Sequence, residues 1–329
     1  MESGSKKLNI DQIIAILERC FGLGSHSFGV KELGGGTFNE TYLIDISEQE
    51  RVVLKIAPSP APDTYWDDVA LMRREYNTLP FFASIGKSTP KTVFADFTHQ
   101  IVGRDYILQT FMEGDRWSDI EDELTQEESV DLWGQCGGIV KQIHETTGEV
   151  FGYPYPGRSF AKWHDVILDR FSQITQSLQA YHVEISHFST ISDIVISARS
   201  VLNDVRTPRL LHGDLWTFNL LVTRQNGRPL ITGVLDTERA WWGDPLADWI
   251  MFLLSIRSGE MQWQQRLAAF NNEYGVLGNS ETMQFRQEVY KAMHIGSSAV
   301  WGVKHGNQED VERARQELSA IAHLLPKLL

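Results

Sequence analysis

The chain has 329 residues, more than a single core usually organises, so two lobes are expected; 42% hydrophobic and 22% charged residues are the balance of an ordinary globular protein. A net charge of −13 excludes the basic footprint that a nucleic-acid partner requires. Two scattered cysteines, Cys20 and Cys136, exclude a disulfide framework or zinc site, the opening MESGSKKLN lacks a signal peptide's apolar core, and no apolar run is long enough to span a bilayer; a soluble, cytoplasmic chain with no membrane partner is expected.

Residues 10–21 carry Ile13, Ile14, Ile16, Leu17 and Phe21 on one broad face, which predicts a helix ended by Gly22 and Gly24. After Lys31-Glu32-Leu33 comes a glycine-rich loop, Gly34-Gly35-Gly36-Thr37-Phe38-Asn39, and then strands over 41–46 and 52–56, the second with Lys55 alone among apolar residues. Without a Cβ, the amides of such a loop can approach phosphates. By themselves the glycines also fit a plain turn, and Lys55 a solubilising edge residue. Helical spacing over 67–79 places Glu75 within a helix, and 92–95 and 106–111 read as two more strands before Met112-Glu113-Gly114.

Residues 113–131 hold nine acids and one base, Arg116. This run reads as a solvated loop and helix start, or as a rim that steers in a polycationic substrate. A helix over 130–144 follows, with Gly137-Gly138 signalling close packing, then a Tyr/Pro-rich loop and two amphipathic helices. Three more helical stretches, over 261–274, 281–303 and 309–325, close the chain.

Between these helices, residues 210–249 concentrate acids at restrictive spacings. Asp214 is followed by Asn219, then Leu220-Leu221-Val222, Asn226-Gly227, and an apolar run that ends at Asp236. Asn-Gly between apolar runs is a strong hairpin signal, because both turn positions need positive φ. A tip at Asn226-Gly227 sets Asn219 opposite Val234 and Asp236 opposite Thr217. The ribbon then brings the Asn219 amide and the Asp236 carboxylate to one end, beside Asp214. Oxygen ligands of this kind suit Mg²⁺, a hard cation that takes one or two carboxylates plus substrate phosphates.

His212-Gly213-Asp214 with Asn219, then Asp236, Gly243-Asp244-Pro245 and Asp248, resembles the aminoglycoside phosphotransferase-like family of small-molecule kinases. Gly213 stands at the arginine position of the protein-kinase HRD motif, and Asp236-Thr237-Glu238 replaces DFG. The resemblance implies an α+β, bilobal, protein-kinase-like fold. Its N-lobe (1–112) would be an antiparallel sheet with a helix, and its larger, mostly helical C-lobe (113–329) would carry the catalytic hairpin and the acceptor region.

The resemblance also implies roles. Asp214 would accept the proton of the acceptor hydroxyl, with His212 bracing the loop and Asp248 anchoring its backbone. Asn219 and Asp236 would hold Mg²⁺. Gly34, Gly35, Gly36 and Thr37 would cradle the phosphates of ATP or GTP, and Lys55, oriented by Glu75, would grip them. Gln109, Phe111 and Met112, at the crossing between lobes, would contact the adenine mainly through main chain.

Only seven residues separate Asp236 from Asp244, which leaves no room for a peptide platform. A small hydroxylated acceptor, cationic in view of the chain's acidity, is expected. The candidates are an aminoglycoside or related antibiotic, or a metabolite such as a ketosamine, choline, ethanolamine or homoserine. His-Gly-Asp-Leu-Trp also resembles the catalytic loop of ketosamine kinases. A catalytically silent nucleotide-binding regulator is the reading from a different class. Oligomeric state is left open.

Overall fold

The computed structural model describes residues 7–22, 28–34, 39–47, 50–59, 70–183 and 186–329. Its strands are β1 Gly29–Glu32, β2 Glu40–Asp45, β3 Arg51–Ile56, β4 Thr92–Asp96, β5 Tyr106–Thr110, β6 Asp115–Arg116, β7 Phe151–Gly152, β8 Ser159–Phe160, β9 Arg209–Leu211, β10 Leu220–Gln225, β11 Arg228–Val234 and β12 Trp241–Gly243. The helices are α1 Ile10–Phe21, α2 Leu71–Thr78, α3 Trp117–Ile120, α4 Gln126–Glu145, α5 Trp163–Ala180, α6 Ser186–Ser197, α7 Arg199–Asn203, α8 Trp249–Arg257, α9 Gln264–Tyr274, α10 Glu281–Lys304 and α11 Gln308–Leu324. None of the described helices is long and apolar enough to cross a membrane.

The first sheet is antiparallel, in the order β1-β2-β3-β5-β4. Period-two alternation sends Tyr42, Ile44, Val52, Leu54, Ile56, Tyr106 and Leu108 into one apolar cluster with Ile13, Ile16 and Leu17 of α1. The opposite parity sends Lys55 and Gln109 to the other face, where α2 brings Glu75. A capping box between Asn9 and Gln12 starts α1, and Gly22 ends it at φ 66°. The rest of the chain is largely helical, with two small sheets, β11-β10-β6 and β8-β7-β12-β9. This is the α+β, bilobal, kinase-like arrangement.

Helix α4 begins at Gln126, four residues before the expected start, because Thr125 and Glu128 form a capping box. Part of the acidic run is therefore a helix's first turn. Other acids of the run meet arginines: Glu113 with Arg51, Glu121 with Arg266, Glu128 with Arg224 and Asp131 with Arg228. The run is a partly neutralised surface.

The hairpin turns at Asn226 and Gly227, with φ of 51° and 82°. Pairing runs as expected from Gln225↔Arg228 to Val222↔Ile231, but a bulge then shifts the register by one. Leu220 faces Val234, and the Leu235 N–H donates to the Asn219 carbonyl at 2.9 Å. Asn219 is therefore opposite Leu235, not Val234. The extra residue is Thr232, whose hydroxyl donates to the Glu113 carbonyl at 3.1 Å and ties the bulge to the crossover.

In the middle of α4 only one of the paired glycines is required by packing. A Cβ on Gly137 would run into the backbone of Phe270 in α9, whereas one on Gly138 would meet nothing within 4 Å. Gly137→Ala should lower unfolding stability by about 1–3 kcal/mol through overpacking. Gly138→Ala should raise it by up to about 1 kcal/mol through helix propensity. Urea denaturation of the two variants measures both, and equal effects would contradict the α4–α9 contact.

Candidate active site

The chain leaves β9 into His212-Gly213-Asp214. Gly213 sits at φ 79°, and a Cβ there would collide with the Arg239 carbonyl, so no residue with a side chain fits. The loop hangs on Asp248. One of its carboxylate oxygens accepts from the Gly213 N–H at 2.7 Å and the Trp249 N–H at 2.8 Å. The other accepts from the His212 N–H at 3.0 Å and lies 2.9 Å from His144 Nε2. Burial alone would raise the Asp248 pKa, but His144, His212 and the loop amides outweigh it and lower it.

His212 is fully buried and its pKa is lowered by burial, so the ring is neutral. Its Nε2–H donates to the Leu235 carbonyl at 3.0 Å, which leaves Nδ1 to accept from the Asp214 N–H at 3.3 Å. The histidine thus splints the turn to the hairpin. Asn219 Nδ2 donates to the Asp214 carbonyl at 2.8 Å and lies 3.3 Å from its carboxylate, so Oδ1 is the end of the amide that could ligate a cation.

Asp236 follows β11 at φ 58°, a left-handed conformation. Its carboxylate accepts from Lys55 Nζ at 2.7 Å, and Glu75 accepts from the same ammonium at 2.7 Å. Burial disfavours the Lys55 charge, but Asp236, Glu75 and Glu238 outweigh it and raise its pKa. For Asp236 the burial penalty is likewise overcome, chiefly by Lys55, and its pKa is lowered. Glu238 is buried near both; burial, Asp236 and Glu75 push its carboxyl up to about 7, and the Asn39 amide donates to it at 3.1 Å. Burial, with Asp236 and Glu238 nearby, pushes Asp214 up to about 7 as well, against the pull of Arg239.

The expected site residues divide three ways. Lys55, Glu75 and Asp236 are joined by hydrogen bonds, Asn219 is bonded to Asp214, and the Asp236 charge acts on Asp214, so the five come together. Gly34 is exposed, and Gly35, Gly36 and Thr37 lie outside the described residues. At the crossover, Phe111 lies under the Arg51 guanidinium at 4.2 Å and Met112 is half-buried. Gln109 is turned away from the crossover: its side chain donates to Glu75 at 3.0 Å, inside a strand paired on both sides. Sequence reasoning missed this second support of Glu75, the bracing of Asp248 by His144, and the link of Asn39 to Glu238. None has a local signal, since the partners lie 34, 104 and 199 positions apart.

Among the described residues, no group of three or more His, Cys, Asp or Glu forms a metal site. The oxygen pair of Asn219 Oδ1 and Asp236 nevertheless fits Mg²⁺, which fills its shell with water and phosphate oxygens.

The family model described as APH, phosphotransferase enzyme family, matches residues 29–286. The chain belongs to that family. No curated protein sequence matches it. Among solved structures, a thermostable mutant of aminoglycoside phosphotransferase APH(4)-Ia is 18% identical, with 94% of this chain and 98% of that one covered at TM-score 0.65. A protein of Ralstonia eutropha JMP134 assigned to the aminoglycoside phosphotransferases is 13% identical over 98% of this chain and 99% of its own, at TM-score 0.67. The GDP and kanamycin complex of APH(2")-IIIa is 17% identical over 93% and 97%, at TM-score 0.60. These likenesses show that the phosphotransferase shares their kinase-like fold.

The raised Asp214 pKa has a consequence for stability. A carboxyl with a folded pKa of about 7 against an unfolded value of 3.8 costs the native state stability as pH rises between the two. Asp214→Asn should therefore be more stable than the parent by roughly 1–3 kcal/mol at pH 8. The gain should vanish near pH 4, where Asp214 is protonated in the fold. Thermal melts at the two pH values test this, and a pH-independent difference would refute the raised pKa.

Proposed function

We propose that this phosphotransferase moves the γ-phosphate of ATP or GTP to a hydroxyl of a small cationic molecule, an aminoglycoside or related antibiotic. One observation carries the reading: a buried lysine, tied by Glu75 and Asp236, stands in the same cleft as an Asp–Asn pair on the catalytic turn. In this reading residues 1–112 hold the nucleotide and residues 113–329 hold the catalytic loop and acceptor.

Phosphoryl transfer asks chiefly for positioning and charge neutralisation. Lys55, aimed by Glu75 and Gln109, grips the α/β-phosphates. Asn219 and Asp236 hold Mg²⁺, which when bound neutralises charge on the phosphate oxygens. The acceptor hydroxyl is oriented by Asp214 in line with the γ-phosphorus. As the new O–P bond forms, the bond to the β–γ bridging oxygen breaks, the nucleoside diphosphate leaves and the hydroxyl proton passes to Asp214. His212 stays neutral and structural.

The acceptor class is supported by the short Asp236–Asp244 segment, the net charge of −13, and the carboxylates of Asp214, Asp236 and Glu238 around the cleft. Structural neighbours include ternary complexes of APH(4)-Ia with ADP and hygromycin B and of APH(2")-IIIa with GDP and kanamycin. A second reading, a ketosamine or other metabolite kinase, is favoured by Trp216. This residue completes His-Gly-Asp-Leu-Trp and lies 41% exposed two positions beyond Asp214.

Asp214→Ala should lower kcat at least about 100-fold while leaving nucleotide affinity nearly unchanged. In the parent, kcat/KM should fall as pH drops through about 7, because the base must be ionised. Asp236→Ala should weaken Mg²⁺-dependent nucleotide binding, and unchanged metal dependence would remove Asp236 as a ligand. A coupled assay of nucleoside diphosphate release, run with Mg-ATP and Mg-GTP over aminoglycosides, other antibiotics, ketosamines, choline and homoserine, decides the acceptor. Turnover confined to metabolites would replace the antibiotic reading with the second one. Nucleotide binding with silence throughout would favour a regulator.

A further inference from the structure

Arg116 is the one base among nine acids between Glu113 and Asp131, and the phosphoryl-transfer scheme gives it no task. Several of those acids are paired with other arginines, through Glu113–Arg51, Glu121–Arg266, Glu128–Arg224 and Asp131–Arg228. Arg116 itself turns to the cleft. Strand β6 sets it opposite Leu221, two residues beyond Asn219. Its guanidinium lies over the Phe218 ring at 4.3 Å, next to Asn219 in sequence, and an Nη reaches the Gly34 carbonyl at 3.5 Å. Its charge also helps to hold Asp236 ionised. One cation is thus within reach of the first glycine of the nucleotide loop, the catalytic turn and the metal-side carboxylate.

Neither of its contacts consumes its hydrogen-bonding capacity. An aromatic face takes charge but no N–H directed at an oxygen lone pair, and a 3.5 Å contact is at the limit of a hydrogen bond. A guanidinium presents five donors in a planar fork that matches two phosphate oxygens at once, which the point charge of Lys55 does not.

We propose that Arg116 is a nucleotide-binding residue whose guanidinium engages the phosphate chain alongside Lys55, with Phe218 holding the plane of the fork. This rests on the nucleotide-dependent reading above. Exchange of the Gly34 carbonyl for phosphate oxygens replaces a long neutral contact with short charge-assisted ones.

The test is calorimetric titration of adenosine, ADP and ATP with Mg²⁺ into the parent, Arg116→Ala and Arg116→Lys; the guanine series is used if it binds more tightly. Arg116→Ala should weaken ATP and ADP by about tenfold or more and leave the nucleoside within about twofold, while Arg116→Lys recovers part of the loss. Melting temperatures confirm that both variants fold. Equal weakening of nucleoside and nucleotides would reduce Arg116 to a prop for the catalytic turn and overturn the proposal. Unchanged ATP affinity in a folded Arg116→Ala would overturn it as well. A parent that binds none of these ligands would overturn the nucleotide-dependent reading itself.

Discussion

The Lys55 ammonium, 2.7 Å from Glu75 and 2.7 Å from Asp236, is the interaction on which the arrangement depends. An ammonium taken out of water loses several kcal/mol of solvation, and only close, well-placed carboxylates repay it. Here the two carboxylates come from different parts of the chain: Glu75 from the helix packed on the first sheet, Asp236 from the end of the β10–β11 hairpin. The neighbouring bond from the Thr78 hydroxyl to the Thr237 carbonyl, at 2.9 Å, joins the same two elements. The ion pair therefore fixes the position of one sheet relative to the other. It is weak evidence for stability, since apolar residues could fill such a space at lower cost. Its physical use is to hold a charge aimed into a cleft.

Two aspartates show how environment sets the charge of a buried carboxyl. Asp214 ends the His212-Gly213-Asp214 turn and Asp248 holds its backbone, and burial pushes both carboxyls towards the neutral form. Asp248 is surrounded by donors, with three backbone N–H groups and His144, and stays ionised. Asp214 has acids for neighbours and rises to about 7. Carboxyls whose surroundings push their pKa values apart are divided in the same way between structural and acid–base work. His144 is itself placed by Tyr274, whose hydroxyl lies 2.9 Å from Nδ1, so helices α4 and α9 are packed together partly through the group that holds the loop.

Much of this was legible in the sequence where the physics is local. Asn226-Gly227 marks its turn because both residues need positive φ, and the alternation around Lys55 marks a strand with one charged face. Asp244-Pro245 starts a short 3₁₀ turn, with the Asp244 side chain accepting from the Leu246 N–H at 3.2 Å, and α8 begins at Trp249 with Asp248 as its cap. The other Asp244 oxygen accepts from the Tyr290 hydroxyl at 2.8 Å, a partner 46 positions away that no local pattern announces. The inward turn of Gln109, the arginine partners of the acidic run and the pairing of His144 with Asp248 are long-range contacts. Periodicity cannot reveal them, because nothing in the local spacing changes when the distant partner is replaced.

The one-residue slip in the hairpin shows how a local misreading of register can leave the placement of a side chain unchanged. Perfect pairing would have placed Asp236 opposite Thr217, on the same face as Asn219. With the bulge at Thr232, regular alternation would turn the Asp236 side chain to the opposite face. Two departures from strand geometry remove that consequence: residues 217–219 form a 3₁₀ turn, and Asp236 takes φ 58° and ψ 60°. A non-glycine residue held there costs on the order of 1 kcal/mol or more, and such strain persists only where the surroundings over-determine it. The Lys55 ammonium at 2.7 Å supplies that constraint. The acid at 236 is thus needed both to hold the lysine and to hold its own backbone, which is why its contact partner, and not the hairpin register, decides where it points.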